Sequence, residues 1–246
     1  KAFEKYGSPA IPMHMAIHSI PERIALKFEI PAILWGENSA VEYGGSDVLD
    51  QDADLTDAWR KKYGVTFGTE ARDWIDSELS SRDMEAYQWP APEVMRKHSI
   101  RTVFLGHFFD WNPHLTAQKA SEVGFLAADK PVVGIYNFAD IDDAFIMSVH
   151  HWMKWLKFGF TRTWDNLSLD IRNGKITRDA AIDMVSTLGD ETPHKAIADF
   201  CLYTGVSKNY FHSVCDTFRN LDIWEFDGQN WLIKDFLIKD WAWNED

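Results

Sequence analysis

The chain has 246 residues, 46% of them hydrophobic, and carries a formal net charge of -13. That length suits one large domain, or one domain with a helical appendage, and 12 Trp and 16 Phe supply a core without disulfides. The acidic balance argues against a nucleic-acid surface, which needs clustered Lys and Arg, yet it permits a local basic pocket for an anionic ligand. Cys201 and Cys215 form no CxxC pair, so no zinc cage or redox motif is expected and both thiols read as buried. With no signal peptide and no apolar run of membrane-spanning length, the expected location is cytoplasmic, with no membrane partner. The opening KAFEKYGSPAIPMH reads like the middle of a domain, which suggests that an N-terminal portion precedes it.

In chain order, residues 14–29 carry apolar positions at helical spacing, with Ile17, Ile20, Ile24 and Phe28 on one face. Ile30 to Trp35, a buried-looking apolar run, follows as a short core strand that stops at Gly36. Residues 46–64 read as an acidic loop leading into a short helix, and 69–87 as a further helix. A proline-rich stretch and another short helix lead to a strand at 101–106, a helix at 115–123 and a third apolar strand at 131–138. Three strands that each run into a glycine-containing loop resemble the carboxyl edge of a parallel sheet, where open α/β folds bind ligands. The second half reads as helical. A long helix over 140–158 buries Ile146, Val149, Met153 and Leu156; a second, capped by Thr177, spans 177–188. A third, over 192–204, has Thr192 as cap, Pro193 at its first position and Gly205 just past its end. Ser207 caps a fourth, and Asp227-Gly228 between alternating apolar residues marks a terminal hairpin. These elements give residues 1–139 as an α/β part and 140–246 as a helical part with the hairpin.

Three groups could carry chemistry. In AILWGENSAVEYGG, the strand delivers Glu37, Asn38, Glu42 and Tyr43 to one short loop. Its carboxylates could hold a magnesium ion or transfer protons; equally, Asn38 and Ser39 could simply cap a helix. Further on, His150, Lys154 and Lys157 share a helix face at i, i+4 and i+7, with Arg162, Asp165 and Arg172 close behind. Such a cation cluster in an acidic chain can neutralise phosphate, or it can be a face laced with ion pairs. His107, Asp110 and His114 match no metal-ligand spacing, and His14 and His18 lack a third ligand, so no metal site is expected among them. Nucleophile-elbow, GxGxxG and Walker patterns are absent.

Several blocks in order resemble the N-acetyl sugar amidotransferases of bacterial surface-polysaccharide and flagellin-glycan biosynthesis. They are KYGSP with PMH (5–14), IPAILWGENSAVEYGG (30–45), VFLGHFFDW (103–111), GIYNFADID (134–142), and the long run HHWMKWLKFGFTRTWDNLSLDIRNGKITRDAAI (150–182). The resemblance continues more weakly through DFCLYTGVS (199–207). It implies a PP-loop ATP pyrophosphatase type of α/β parallel sheet with a helical C-terminal part. The implied reaction uses ATP and Mg2+ to adenylate the acetamido oxygen of a nucleotide-linked N-acetyl sugar. Ammonia, delivered from a glutaminase subunit through a cyclase-like channel subunit, then displaces AMP and leaves an acetamidino group. On this basis Glu37, Asn38 and Glu42 are the candidate catalytic residues. Tyr43, His150, Lys154, Lys157, Arg162, Asp165 and Arg172 are the candidate substrate-binding ones.

Two departures stand against the resemblance. An SGGxDS-type nucleotide loop, which belongs upstream of these blocks, occurs nowhere in the sequence, and Ala10 and Met13 stand where relatives carry a cysteine pair. A structural zinc at those positions is therefore not expected. Two rival readings remain: a non-catalytic scaffold or sugar-binding relative that docks the glutaminase and channel pair, and another PP-loop enzyme such as a tRNA thiolase. The acidic charge counts against the thiolase.

Overall fold

The computed structural model describes residues 1–43, 53–109, 111–141, 143–234 and 236. Its first elements are α1 (Ala2–Tyr6), α2 (Ile11–Phe28), β1 (Ala32–Trp35), α3 (Ser39–Tyr43), α4 (Asp57–Tyr63), α5 (Pro92–Lys97) and β2 (Arg101–Phe104). Then come α6 (Pro113–Glu122), α7 (Ile146–Phe158), α8 (Arg162–Arg172), α9 (Arg178–Leu188), α10 (His194–Thr204), α11 (Lys208–Thr217), β3 (Trp224–Phe226) and β4 (Trp231–Ile233). The chain divides into two compact units: an N-terminal one, Ala10–Trp111, and a C-terminal one that joins Phe3–Pro9 to the chain from Asn112 onward. Residues 112–139, which the sequence reading groups with the α/β part, therefore belong to the C-terminal unit.

In the N-terminal unit β1 and β2 pair in parallel, from Ala32 opposite Arg101 to Trp35 opposite Phe104. The long connection through α3, α4 and α5 is the crossover that a parallel pair requires. Phe104 packs with Leu55 and Trp59, while Ile33 packs on Ala25, Met95 and Ile100. The expected strand at 101–106 shortens because Leu105–His107 turns into a 3-10 helix.

Three expectations need correction here. Helix α2 buries Ile11, Met15, His18, Ser19, Glu22 and Ala25, whereas the expected core stripe of Ile17, Ile20, Ile24 and Phe28 is exposed, Phe28 by 63%. Two groups of the polar stripe find partners on burial: Glu22 pairs with Arg60, and the Ser19 hydroxyl donates to the Ala86 carbonyl, while the His18 ring packs against Trp35 and Trp59. Residues 69–87 are not one helix but 3-10 turns at Ala71–Trp74 and Glu85–Tyr87. Side-chain acceptors there capture backbone N–H groups, as Asp76 Oδ1 does from Glu78 and Leu79 at 2.8 and 3.0 Å, and so compete with helix. Strand β1 is also half exposed rather than a core strand, with Leu34 at 64%. Residues 44–52 and Asp110 lie outside the described residues.

The C-terminal unit is built on α7. Val149, Trp152, Met153, Trp155 and Leu156 meet Ile197 and Phe200 from α10 and Phe211, Val214 and Cys215 from α11. Phe3 of α1 joins this core, stacked on Phe211 at 4.9 Å and edge-on to Phe200 at 5.2 Å between ring centroids. Both cysteines are buried, and neither forms a disulfide among the described residues. The hairpin β3–β4 pairs antiparallel, from Trp224 opposite Ile233 to Phe226 opposite Trp231, and the Trp224 indole donates to the Leu156 carbonyl at 2.9 Å. Local capping follows the sequence: Thr177 accepts from Ala180 N at 3.2 Å and Ser207 from Tyr210 N at 3.1 Å. At the end of α10, Gly205 takes a left-handed φ of 72°, a conformation that costs glycine little.

The expected third strand at 131–138 is not formed. Its backbone finds partners outside a ladder: Ile135 N donates to Asn166 Oδ1 at 3.0 Å, and the Asn137 carbonyl accepts from Ala128 N at 2.8 Å. Helix α7 starts at Ile146 rather than at Asp140. Asp140 itself has a φ of 53°, and Asp143 Oδ2 accepts from Ser148 N inside the first turn. Among the described residues the architecture is thus a mixture of helices with one two-stranded parallel pair and one antiparallel hairpin.

Candidate functional site

At the carboxyl end of β1 the chain passes Gly36 and enters α3. Asn38 is the start of that helix: its Oδ1 accepts from Ala40 N at 3.1 Å, and its carbonyl accepts from Val41 and Glu42 N. Ser39 instead donates to the Tyr63 carbonyl at 3.0 Å. The capping role and the loop's chemistry therefore coexist. Glu37, Asn38 and Glu42 line a cavity of about 40 Å³ with Gly106, which follows β2, and Trp111. Three of the candidate groups are thus together at a sheet edge, in a space suited to an ion or ordered water rather than to a substrate. Tyr43 closes α3 with its side chain exposed.

The cations of 150–172 are divided among three places in the C-terminal unit. His150 Nδ1 lies 3.0 Å from Ser8 Oγ. Lys157 Nζ donates to the carbonyls of Tyr6 and Gly7 at 2.6 and 2.9 Å, so it holds the end of α1, and burial pushes its pKa down to about 8. Arg172 is exposed at the end of α8. Lys154, Arg162 and Asp165 do meet, and they meet as ion pairs. Lys154 pairs with Asp165 while lying over the Phe160 ring, and Arg162 Nη1 is 3.7 Å from Asp165 Oδ2. Arg162 Nε donates to Asp140 Oδ2 at 3.2 Å, and His151 Nε2 stands 3.8 Å from Asp140 Oδ1.

This ionic chain forms one side of a 250 Å³ cavity lined by Gly134, His151, Trp152, Thr161, Arg162 and Glu191 among others. Glu191 is held by two hydroxyls: Thr161 donates to Oε2 at 2.6 Å and Thr163 to Oε1. Burial pushes the Glu191 carboxyl above its ordinary value, partly offset by those two donors. Asp140 goes the other way. Burial opposes its ionisation, but His151 and the Arg162 guanidinium outweigh that and hold it well below the usual carboxylate range. Burial likewise pushes the His151 imidazole down, so at neutral pH it is uncharged, able to donate from one nitrogen and accept at the other. Apart from the 3.8 Å approach of Asp140 to Nε2, the His151 ring nitrogens make no hydrogen bond among the described residues.

Asp140, His151, Thr161, Thr163 and Glu191 are site residues that the sequence reading missed. The positive φ of Asp140 and the convergence of α7, α8 and the loop before α10 arise only in three dimensions. In the sequence, the one available signal was the doubled histidine at 150–151, of which the reading chose the wrong member for the cavity.

Residues 134–237 match the family model of the LPS biosynthesis protein WbpG-like, C-terminal domain. No curated protein matches the chain. The matched segment contains His151, Arg162 and Glu191, hence the ionic chain and most of the cavity wall. Glu37, Asn38, Glu42 and Tyr43 fall outside it. His114, offered in the sequence as part of a His/Asp/His set, is bound to Asp170 Oδ1 at 2.8 Å, and His107 belongs to the N-terminal unit. Among the described residues no group of three or more His, Cys, Asp or Glu side chains could hold a metal ion, and no helix is long and apolar enough to cross a membrane.

Proposed function

We propose that the chain acts in lipopolysaccharide biosynthesis, and that its reaction converts the acetamido group of a nucleotide-linked N-acetyl sugar to an acetamidino group. The observation that carries the first part is the match of residues 134–237 to the WbpG-like C-terminal domain, a segment that also contains most of the cavity wall. The reaction itself is supported by the sequence blocks of the amidotransferase family, which extend through both units. An amide oxygen leaves poorly, so it attacks the α-phosphate of ATP and expels pyrophosphate; ammonia then attacks the adenylated carbon and expels AMP. Ammonia would come from a glutaminase subunit through a cyclase-like channel subunit, and the sheet of the N-terminal unit would belong to a PP-loop type of fold.

The donor chemistry limits which residues take which role. Glu37 and Glu42, with the Asn38 amide, are oxygen donors of the kind Mg2+ prefers, and their small cavity suits a cation. One of these carboxylates could alternatively accept a proton from attacking ammonia. Lys154 and Arg162 do not fit a polyphosphate, because Asp165 and Asp140 already neutralise them. No step involving ATP is assigned to them.

A product assay tests the reading. The full-length protein, with its nucleotide loop, is incubated with ATP, Mg2+, ammonium and nucleotide-linked N-acetyl sugars, and AMP and the sugar product are followed by mass spectrometry. Release of AMP with a sugar in which NH replaces oxygen is the expected result, abolished in Glu37→Gln and Glu42→Gln together. If the product forms at the wild-type rate in that double variant, the sheet-edge assignment is wrong; if no such sugar yields AMP, the reaction is wrong.

A further inference from the structure

We infer that the cavity of the C-terminal unit is the binding site for a single uncharged ring bearing hydroxyl and amide groups, with His151 as its central hydrogen-bonding contact. The inference rests on the proposed glycan role only for the choice of sugar as probe. Its first support is His151 itself. The imidazole is 4% exposed and lines the cavity; its Nε2 stands 3.8 Å from Asp140 Oδ1, too far for a good hydrogen bond, and Nδ1 has no hydrogen-bond partner among the described residues. A buried polar group left unsatisfied is costly, and a ligand that hydrogen-bonds to the imidazole removes that cost.

The charge pattern selects the ligand class. Lys154 is matched by Asp165 and Arg162 by Asp140; at the cavity's other side Asp190 pairs with His194 at 3.2 Å. Glu191 has both oxygens engaged by threonine hydroxyls. These pairs leave the wall no surplus of positive charge to attract a phosphate, and the carboxylates would repel one. What the wall offers instead is a mixture: Val132, Val133 and Trp152 are apolar, and Ser148, Thr192 and His151 are polar. A pyranose likewise combines C–H faces with hydroxyl groups. Size agrees, because 250 Å³ falls below the roughly 300 Å³ at which clefts for drug-sized ligands begin. The space suits one ring.

Titration of the full chain with N-acetylglucosamine, and separately with inorganic pyrophosphate, tests this, read by the NMR signals of histidine rings labelled with nitrogen-15. The sugar is expected to shift the His151 ring signals saturably, and pyrophosphate to leave them in place. His151→Phe, which keeps the volume and removes both nitrogens, should weaken sugar binding by roughly ten-fold or more. Should that variant fold poorly, Val132→Trp gives an independent reading, because position 132 is 46% exposed and a larger side chain there blocks the cavity without entering the core. Loss of sugar binding in Val132→Trp supports the site. Binding of pyrophosphate at His151, silence with the sugar, or unchanged sugar affinity in either folded variant would overturn it. The two proposals fail separately. Sugar binding without AMP release leaves the site standing and removes the reaction, whereas turnover without sugar binding here removes the site.

Discussion

Gly134 shows how tightly the cavity wall is packed, and replacing it isolates that packing. Its φ is 68°, and a Cβ built there would overlap Asn166 Oδ1 and approach Arg162 Cγ to 3.1 Å. Gly174, in the same unit, has the same φ of 68° and open space around its Cβ position. Gly174→Ala therefore reports the left-handed backbone alone, about 1–2 kcal/mol, lessened by the reduced freedom of the unfolded chain. Gly134→Ala adds the displacement of Asn166, which is 1% exposed and accepts from Ile135 N at 3.0 Å. Stranding those groups costs about 1–3 kcal/mol more. At roughly 2–4 °C per kcal/mol for a chain of this size, the thermal midpoint should fall visibly further in Gly134→Ala than in Gly174→Ala. Differential scanning calorimetry of the three proteins measures it. Equal shifts in the two variants would refute the idea that Asn166 and Gly134 are locked together beside the cavity.

Three further outcomes are expected. Lys154→Ala leaves the buried Asp165 carboxylate with only the more distant Arg162, so urea unfolding should show a loss on the order of 3 kcal/mol, and Lys154→Met with Asp165→Asn should recover most of it. The second concerns Lys157, whose pKa falls from 10.5 to about 8 on burial, so between those values the unfolded chain binds more protons and stability rises with pH. The penalty is fully present below that window. In a pH series of urea titrations, Lys157→Met should lack this rise, and an unchanged slope would count against the burial of Lys157 as its cause. The third concerns Glu191, whose carboxyl burial raises in the folded state, so wild-type stability should decline as pH climbs from the ordinary carboxylate value through the raised one. Glu191→Gln keeps an acceptor for Thr161 and should flatten that decline, which thermal melts across the acidic to neutral range would detect.

Elements whose signals are local were legible in the sequence. Thr177 and Ser207 cap their helices as expected, Gly205 ends α10, and Asp227-Gly228 turns the hairpin, because each of these depends on bonds within a few residues. Helix α10 begins one residue later than expected, with Pro193 at the cap position. The stripe of Val149, Met153 and Leu156 also faces the core as its periodicity predicted. Periodicity misled at α2, where two stripes competed and the polar one had partners to receive it. It misled again at 131–138, where an apolar run that reads as a strand bonds instead to the Asn166 side chain and to the Ala128 backbone.

The same division runs through the candidate sites. Sequence order alone determined that Glu37, Asn38 and Glu42 share one strand-end loop, since a strand followed at once by a short helix keeps them within one turn of each other. It also determined that residues 150–172 are rich in cations. Only the tertiary structure decided what those cations do, because Lys154 meets a carboxylate 11 residues away and Arg162 one 22 residues away. Helix spacing shows charges three or four positions apart; it does not show which carboxylates a fold brings back to them, or that a buried histidine is left facing a cavity.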